Sequence, residues 1–159
     1  MTTPSEPSRT PGGRLPPRLV IRAAWVIHRA IHRFSGGRMG LRPASKKDWG
    51  MMRLKTIGRK SGRERAAILG YYVDGANLVT MAMNGWGAPE PAWWLNLQAR
   101  PDATVELHDR TLTVRGRAAT PEERPRLWAR WGEYDGADQL EGWAARRPSD
   151  TAVVILEPR

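Results

Sequence analysis

The chain has 159 residues, 40% of them apolar, and a net charge of +10 with a pI of about 11.1. That length fits one domain with one real core, and the absence of cysteine excludes disulfides, thiolate metal sites and cysteine nucleophiles. The charge favours anionic partners (phosphates, carboxylated cofactors, nucleic acid or acidic lipids) without choosing among them.

Residues 1–17 carry Pro4, Pro7, Pro11, Pro16 and Pro17 with Gly12 and Gly13, and no apolar run. This composition buries little, so a disordered tail is expected and a secretory signal is not. From Arg18 to Phe34, Val20, Ala24, Ile27, Ile31 and Phe34 recur at helical spacing, while Arg18, Arg22, Arg29 and Arg33 gather elsewhere. The pattern predicts a basic amphipathic helix over 18–34, stopped by Gly36-Gly37. Such a helix either lies on an anionic membrane surface or packs across the domain with its arginines in water. Arg22, His28 and Arg29 interrupt it, which excludes a membrane span. The expected location is cytoplasmic, with peripheral membrane contact through 18–34 left open. His28, His32 and His108 form no recognised metal spacing with carboxylates, so no metal site is expected.

After a loop ending near Trp49 the pattern becomes that of short strands. Met52–Ile57, Arg65–Val73 and Asn77–Met83 are expected as strands, with a turn at Asp74-Gly75. Asn84–Glu90 holds too many conformational breakers for regular structure. Pro91 suits the first turn of a helix reaching Ala99, and Pro101 ends it. Thr104–Leu107 and Thr111–Ala118 read as a hairpin turning at Asp109-Arg110. Thr120, Pro121 and Glu123 then form a capping box for a helix carrying Leu127, Trp128 and Trp131. Gly132 and Gly136 are expected to interrupt it, with a second short helix over Ala137–Arg146. Thr151–Leu156 is a β-branched terminal strand. About six short strands with peripheral helices and no βαβ alternation predict a single, mainly β domain over 18–159, its antiparallel sheet closing into a small barrel. There is no G-x-G-x-x-G, Walker lysine loop or G-x-S-x-G elbow.

Two stretches carry the chemistry. In Gly58–Arg65, Arg59, Lys60, Arg63 and Arg65 cluster in a turn where Gly58 and Gly62 allow tight backbone and close approach. Ser61 adds a hydroxyl, and successive backbone N–H groups can form an anion nest. Arginine forks suit phosphate and carboxylate. The alternative is a solvated hairpin turn. In Pro91–Pro101, Trp93 and Trp94 are adjacent on the predicted helix and point about 100° apart, so one faces a ligand at most and the other belongs to the core. Asn96 shares the Trp93 face and is placed to hold either the neighbouring loop backbone or a ligand polar group. Together the stretches suit a large ligand with one anionic end and one flat end. Trp86 lies in the intervening loop and needs cover from a ligand or the core. Trp128, Trp131 and Tyr134 share a helical face, as an aromatic wall over a substrate or as core packing. Tyr134 is the candidate proton donor.

In these motifs the chain resembles the deazaflavin-dependent nitroreductase family, whose members bind coenzyme F420 on a split β-barrel of the FMN-binding type. The family pattern, roughly T-x-G-R-K-S-G-x-x-R followed by P-x-W-x-x-N-L-x-A-x-P, is met by Thr56, Gly58, Arg59, Lys60, Ser61, Gly62 and Arg65, then by Pro91, Trp93, Asn96, Leu97, Ala99 and Pro101. The resemblance covers about residues 25–159. It implies a cofactor site in which Arg59, Lys60, Ser61 and Arg65 meet the phosphate and oligoglutamate tail, Met83, Asn84 and Trp93 neighbour the ring, and Asn96 supports them. FMN, the alternative cofactor, has a phosphate but no oligoglutamate and would use the basic turn less fully.

The departures fall mainly on the acceptor side. Nitroreducing members have a lysine where this chain runs Met83-Asn84-Gly85-Trp86, and a strand tyrosine where it has Gly70. Of three closely spaced C-terminal tyrosines, Trp131 and Tyr134 match two, and a stretch around Gly136–Arg147 displaces the third. The resemblance therefore implies an F420-dependent oxidoreductase with a pocket lined by Trp86, Trp131 and Tyr134 and reshaped by Trp86, Trp131 and the longer C-terminal segment, acting on a quinone-, enone- or nitroaromatic-like hydrophobic acceptor. A non-catalytic barrel that sequesters F420, haem or a lipid-like ligand is the rival reading. Nucleic acid is not an expected partner, because the arginines are spread along the chain and no nucleic-acid motif is present.

Overall fold

The computed structural model describes residues 40–159. The expected tail (1–17) and amphipathic helix (18–34) lie outside them. Six strands, β1 (Gly50–Ile57), β2 (Glu64–Asp74), β3 (Asn77–Met81), β4 (Asp102–Glu106), β5 (Thr111–Ala118) and β6 (Val153–Pro158), form a closed barrel in the order β1-β2-β3-β6-β5-β4. Every pairing is antiparallel. The expected mainly β, split-barrel architecture is therefore the observed one.

Alternation sets which side chains enter the barrel. Met52 and Leu54 of β1, Leu78 of β3, Val105 of β4, Val114 of β5, and Val154 and Leu156 of β6 fill the interior. The intervening residues Tyr72, Val79, Met81, Val153 and Ile155 form a second core on the outer face. That face needs a cover, which the C-terminal helices α2 (Arg124–Asp135) and α3 (Ala137–Ala144) supply through Leu127, Trp131 and Leu140. The Tyr72 hydroxyl donates to the Leu127 carbonyl at 2.9 Å, tying barrel to helix.

The capping box before α2 forms as its sequence requires. The Thr120 N–H donates to the Glu123 carboxylate at 2.9 Å, and the Glu123 N–H donates to the Thr120 hydroxyl at 3.3 Å. Gly132 does not interrupt the helix, contrary to expectation. A Cβ there would lie 3.2 Å from the Ala137 backbone, so this glycine serves the close approach of α3. Gly136, at φ +84°, makes the break.

The remaining helix, α1 (Ala92–Ala99), inserts Trp94 and Leu97 into the barrel's interior cluster. Leu97 fits a notch at Gly116 of β5, where a Cβ would approach its methyl carbon to 2.8 Å.

Candidate functional site

Strands β1 and β2 end with Ile57 opposite Glu64, so segment 58–63 forms the connecting turn. Two backbone bonds close it, from the Gly58 N–H to the Arg63 carbonyl and from the Gly62 N–H to the Gly58 carbonyl, both 2.8 Å. Gly62 sits at φ +66°, in the left-handed region that glycine adopts at little cost. A Cβ at Gly58 would meet the Ser61 hydroxyl at 2.7 Å and the Arg63 carbonyl at 3.2 Å. Both glycines of the motif are thus required by the turn itself.

The turn is held from outside by α1. Asn96 is buried and uses both ends of its amide: Oδ1 accepts the Arg59 N–H at 3.0 Å, and Nδ2 donates to the buried Thr56 hydroxyl at 3.1 Å. Of the two tasks open to Asn96, the structure shows it holding the loop backbone. Trp94 is core and Trp93 half-buried, as their angular separation requires.

Arg59, Lys60, Ser61, Arg63 and Arg65 are exposed. Elsewhere many, though not all, of the basic side chains are answered: Arg53 and Lys55 by Glu106, Arg117 by Glu123 and Glu157, Arg126 by Asp74, and Arg147 by Glu90. No described carboxylate forms an ion pair with Arg59, Lys60, Arg63 or Arg65. The turn therefore offers concentrated, uncompensated positive charge on a preorganised backbone, which is the donor chemistry a phosphate and carboxylate tail requires.

The loop after β3 leads into α1, and hence to Asn96. Asn84, Gly85 and Trp86 all lie in the left-handed region, at φ 45°, 61° and 62°. The Asn84 amide donates to the Pro89 carbonyl at 2.7 Å, and the Trp86 N–H donates to the Met83 carbonyl at 2.7 Å. Trp86 is half-buried, its ring tilted against Trp143 of α3 with centroids 5.8 Å apart. Met83 is half-buried against the outer core.

Trp131 is 4% exposed and packs edge-on to Tyr72 at 5.3 Å. Burial pushes the Tyr72 phenol well above its ordinary range. The Tyr134 hydroxyl donates to the Ser45 carbonyl at 3.3 Å, under the Arg130 guanidinium. The sequence face that joins Trp131 and Tyr134 thus packs largely against the barrel.

Two residues were not singled out from sequence. Trp49 occupies the space beside Gly70, where a Cβ would lie 3.0 Å from its ring, and Arg42 stacks over it at 4.6 Å. Arg147, whose side chain is 1% exposed, reaches the Ala82 carbonyl, the Thr151 hydroxyl and the Glu90 carboxylate. A lone tryptophan before a glycine-led strand was a usable signal for the first. Nothing local marks the second.

The family model described as F420H(2)-dependent quinone reductase matches residues 25–157. A Mycobacterium tuberculosis protein provisionally named an F420H(2)-dependent quinone reductase is 34% identical over 107 residues, covering 67% of this chain and 87% of that one. An F420H(2)-dependent quinone reductase of the same organism is 29% identical over 136 residues, covering 84% and 89%. The solved structure of an F420-H2 dependent reductase shares the fold, with a TM-score of 0.59 at 23% identity, over 74% of this chain and all of that one. The family's cofactor is F420, which the donors of the β1–β2 turn suit. On the extent of the family match and of the identity to these relatives, the chain belongs to the F420H(2)-dependent quinone reductase family.

Proposed function

We propose that this chain reduces a quinone-like hydrophobic acceptor at a site built on the β1–β2 turn, the loop after β3 and α1. The observation that carries the reading is the exposed cationic turn, unpaired among the described carboxylates and braced by Asn96. Arg59, Lys60, Ser61 and Arg65 hold the anionic tail, and Met83, Asn84 and Trp93 flank the ring. When bound, reduced F420 supplies a hydride. Asn96 acts through the turn, holding in place the backbone that carries the cations.

Trp86 is the aromatic contact on the acceptor side. Trp131, with almost no exposed surface, backs the pocket, and Tyr134 borders it. Reduction of a quinone to the hydroquinone takes up one hydride and one proton. The Tyr134 hydroxyl already donates to Ser45, so it delivers that proton only by giving up this bond; otherwise water supplies it.

Among the described residues no helix is long and apolar enough to cross a membrane. Location in the cytoplasm, with peripheral membrane contact through 18–34, belongs to the proposal. The test is anaerobic turnover: reduced F420 is mixed with the full chain and menadione, a nitroaromatic or a cyclic enone, and loss of the reduced coenzyme is followed. Turnover with menadione above the other two supports the reading. Turnover confined to the nitroaromatic contradicts the acceptor class, and turnover with none contradicts catalysis.

A further inference from the structure

Arg147 lies outside both sequence motifs, yet it is the most deeply buried charged side chain among the described residues that form an ion pair. Keeping a guanidinium from water is costly, and hydrogen bonds to its donors offset that cost. Here Nη1 donates to the Ala82 carbonyl at 2.5 Å and to the Thr151 hydroxyl at 3.0 Å, and Nη2 donates to the Glu90 carboxylate at 2.7 Å, while the buried Nε has no partner among the described residues. The same carboxylate accepts from the Ser149 hydroxyl at 3.2 Å.

The partners are not scattered. Ala82 immediately precedes the loop Met83–Pro89, and Glu90 immediately follows it. One guanidinium therefore grips both ends of the loop that carries Met83, Asn84 and Trp86, and anchors them to the start of the C-terminal strand segment through Thr151. Within this loop Asn84 and Trp86 hold left-handed backbone on either side of Gly85. Side-chain-bearing residues stay there only when their surroundings over-determine the conformation. The two internal bonds of Asn84 and Trp86 fix the loop's middle, and Trp143 backs the Trp86 ring. Only Arg147 fixes both ends with one side chain.

We propose that Arg147, paired with Glu90, is a positioning residue that clamps the Met83–Pro89 loop in the shape that presents Met83, Asn84 and Trp86 to the site. The loop's role in coenzyme binding rests on the function proposed above; the clamp itself does not. Arg147 itself contacts neither coenzyme nor acceptor. It acts by fixing where the loop starts and stops. The stretch 136–147 that sets this chain apart from the nitroreducing pattern thereby gains a function, since its last residue supplies the clamp.

The test compares full-length wild type, Arg147→Met, Arg147→Lys and Glu90→Gln by hydrogen exchange without coenzyme, then by F420 titration. Arg147→Met removes the charge and all its bonds. Glu90→Gln leaves the bonds to Ala82 and Thr151 in place and supplies a milder variant if Arg147→Met does not fold. The expected result is at least tenfold faster exchange of the Trp86 and Gly87 amides, with the β3 and β6 amides unchanged. F420 affinity should fall at least tenfold in Arg147→Met and be partly rescued in Arg147→Lys. Loop amides that exchange as in wild type, or only in step with the barrel strands, would overturn the clamp. Faster loop exchange with unaltered F420 affinity would overturn its role in presenting the site. Wild type that fails to bind F420 would instead overturn the proposed function, and the exchange comparison would still decide the clamp.

Discussion

The amide of Asn96 on α1 binds the backbone N–H of Arg59 at 3.0 Å, so the helix that plugs the barrel also sets the position of the basic turn. Its other end holds Thr56, the last inward-facing residue of β1 with a hydroxyl at the barrel mouth. The two sequence blocks, some thirty residues apart, are one physical unit.

Asn96→Ala should therefore cost both stability and coenzyme affinity. It leaves the Arg59 N–H and the Thr56 hydroxyl without their partner in a buried place, a loss of about 1–3 kcal/mol. Urea unfolding measures the first effect and F420 titration the second. Full stability in the variant would mean that water replaces the amide. Unchanged affinity would mean that the turn keeps its shape unaided.

Gly58→Ala tests the turn from within. The added methyl meets the Ser61 hydroxyl and the Arg63 carbonyl, so a loss of about 1–3 kcal/mol is expected, as for overpacking elsewhere. In a Ser61→Gly background the loss should shrink, because the tightest contact is gone and those with the Arg63 carbonyl and the Arg65 side chain, at 3.2 and 3.5 Å, are looser. Urea midpoints of the single and double variants check this. Equal losses in both backgrounds would rule out Ser61 as the main obstacle.

Acid stability should depend on Glu123. The Arg117 guanidinium, aided by the Thr120 N–H, holds its carboxyl down to about 2, against an ordinary value of 4.5. A depressed folded pKa contributes stability that is present above the unfolded value and lost as pH falls through the folded one. The contribution should thus fade between about pH 4.5 and about pH 2. Thermal melts of wild type and Glu123→Gln across that window should converge toward the acid end. Parallel curves would show that Glu123 carries none of the acid sensitivity.

Local signals were legible in the sequence, and distant ones were not. The capping box of Thr120 and Glu123 involves residues three apart, so its pattern is its mechanism. The separation of Trp93 from Trp94 follows from helical geometry alone, as do the strand faces from alternation. Gly58 and Gly62 could be read because a tight turn needs them. Gly132 was misread because its reason is the approach of Ala137, a packing contact that an isolated helix pattern does not contain. Arg147 was missed because its partners Glu90 and Ala82 lie 57 and 65 positions away. The internal use of the Tyr134 hydroxyl was likewise invisible, since Ser45 is 89 positions distant.

Whether the β1–β2 turn holds the anionic end of the coenzyme is decided by titration of the full chain with F420, with FMN in parallel. Tryptophan quenching is followed for wild type and for Arg59→Ala/Lys60→Ala. Wild type should bind F420 saturably and more tightly than FMN. The double variant should bind more weakly by about 1.5–3 kcal/mol for each charge-assisted bond lost, roughly tenfold or more per bond. Wild type that binds FMN but not F420, or a double variant that binds F420 as tightly as wild type, would contradict that role of the turn.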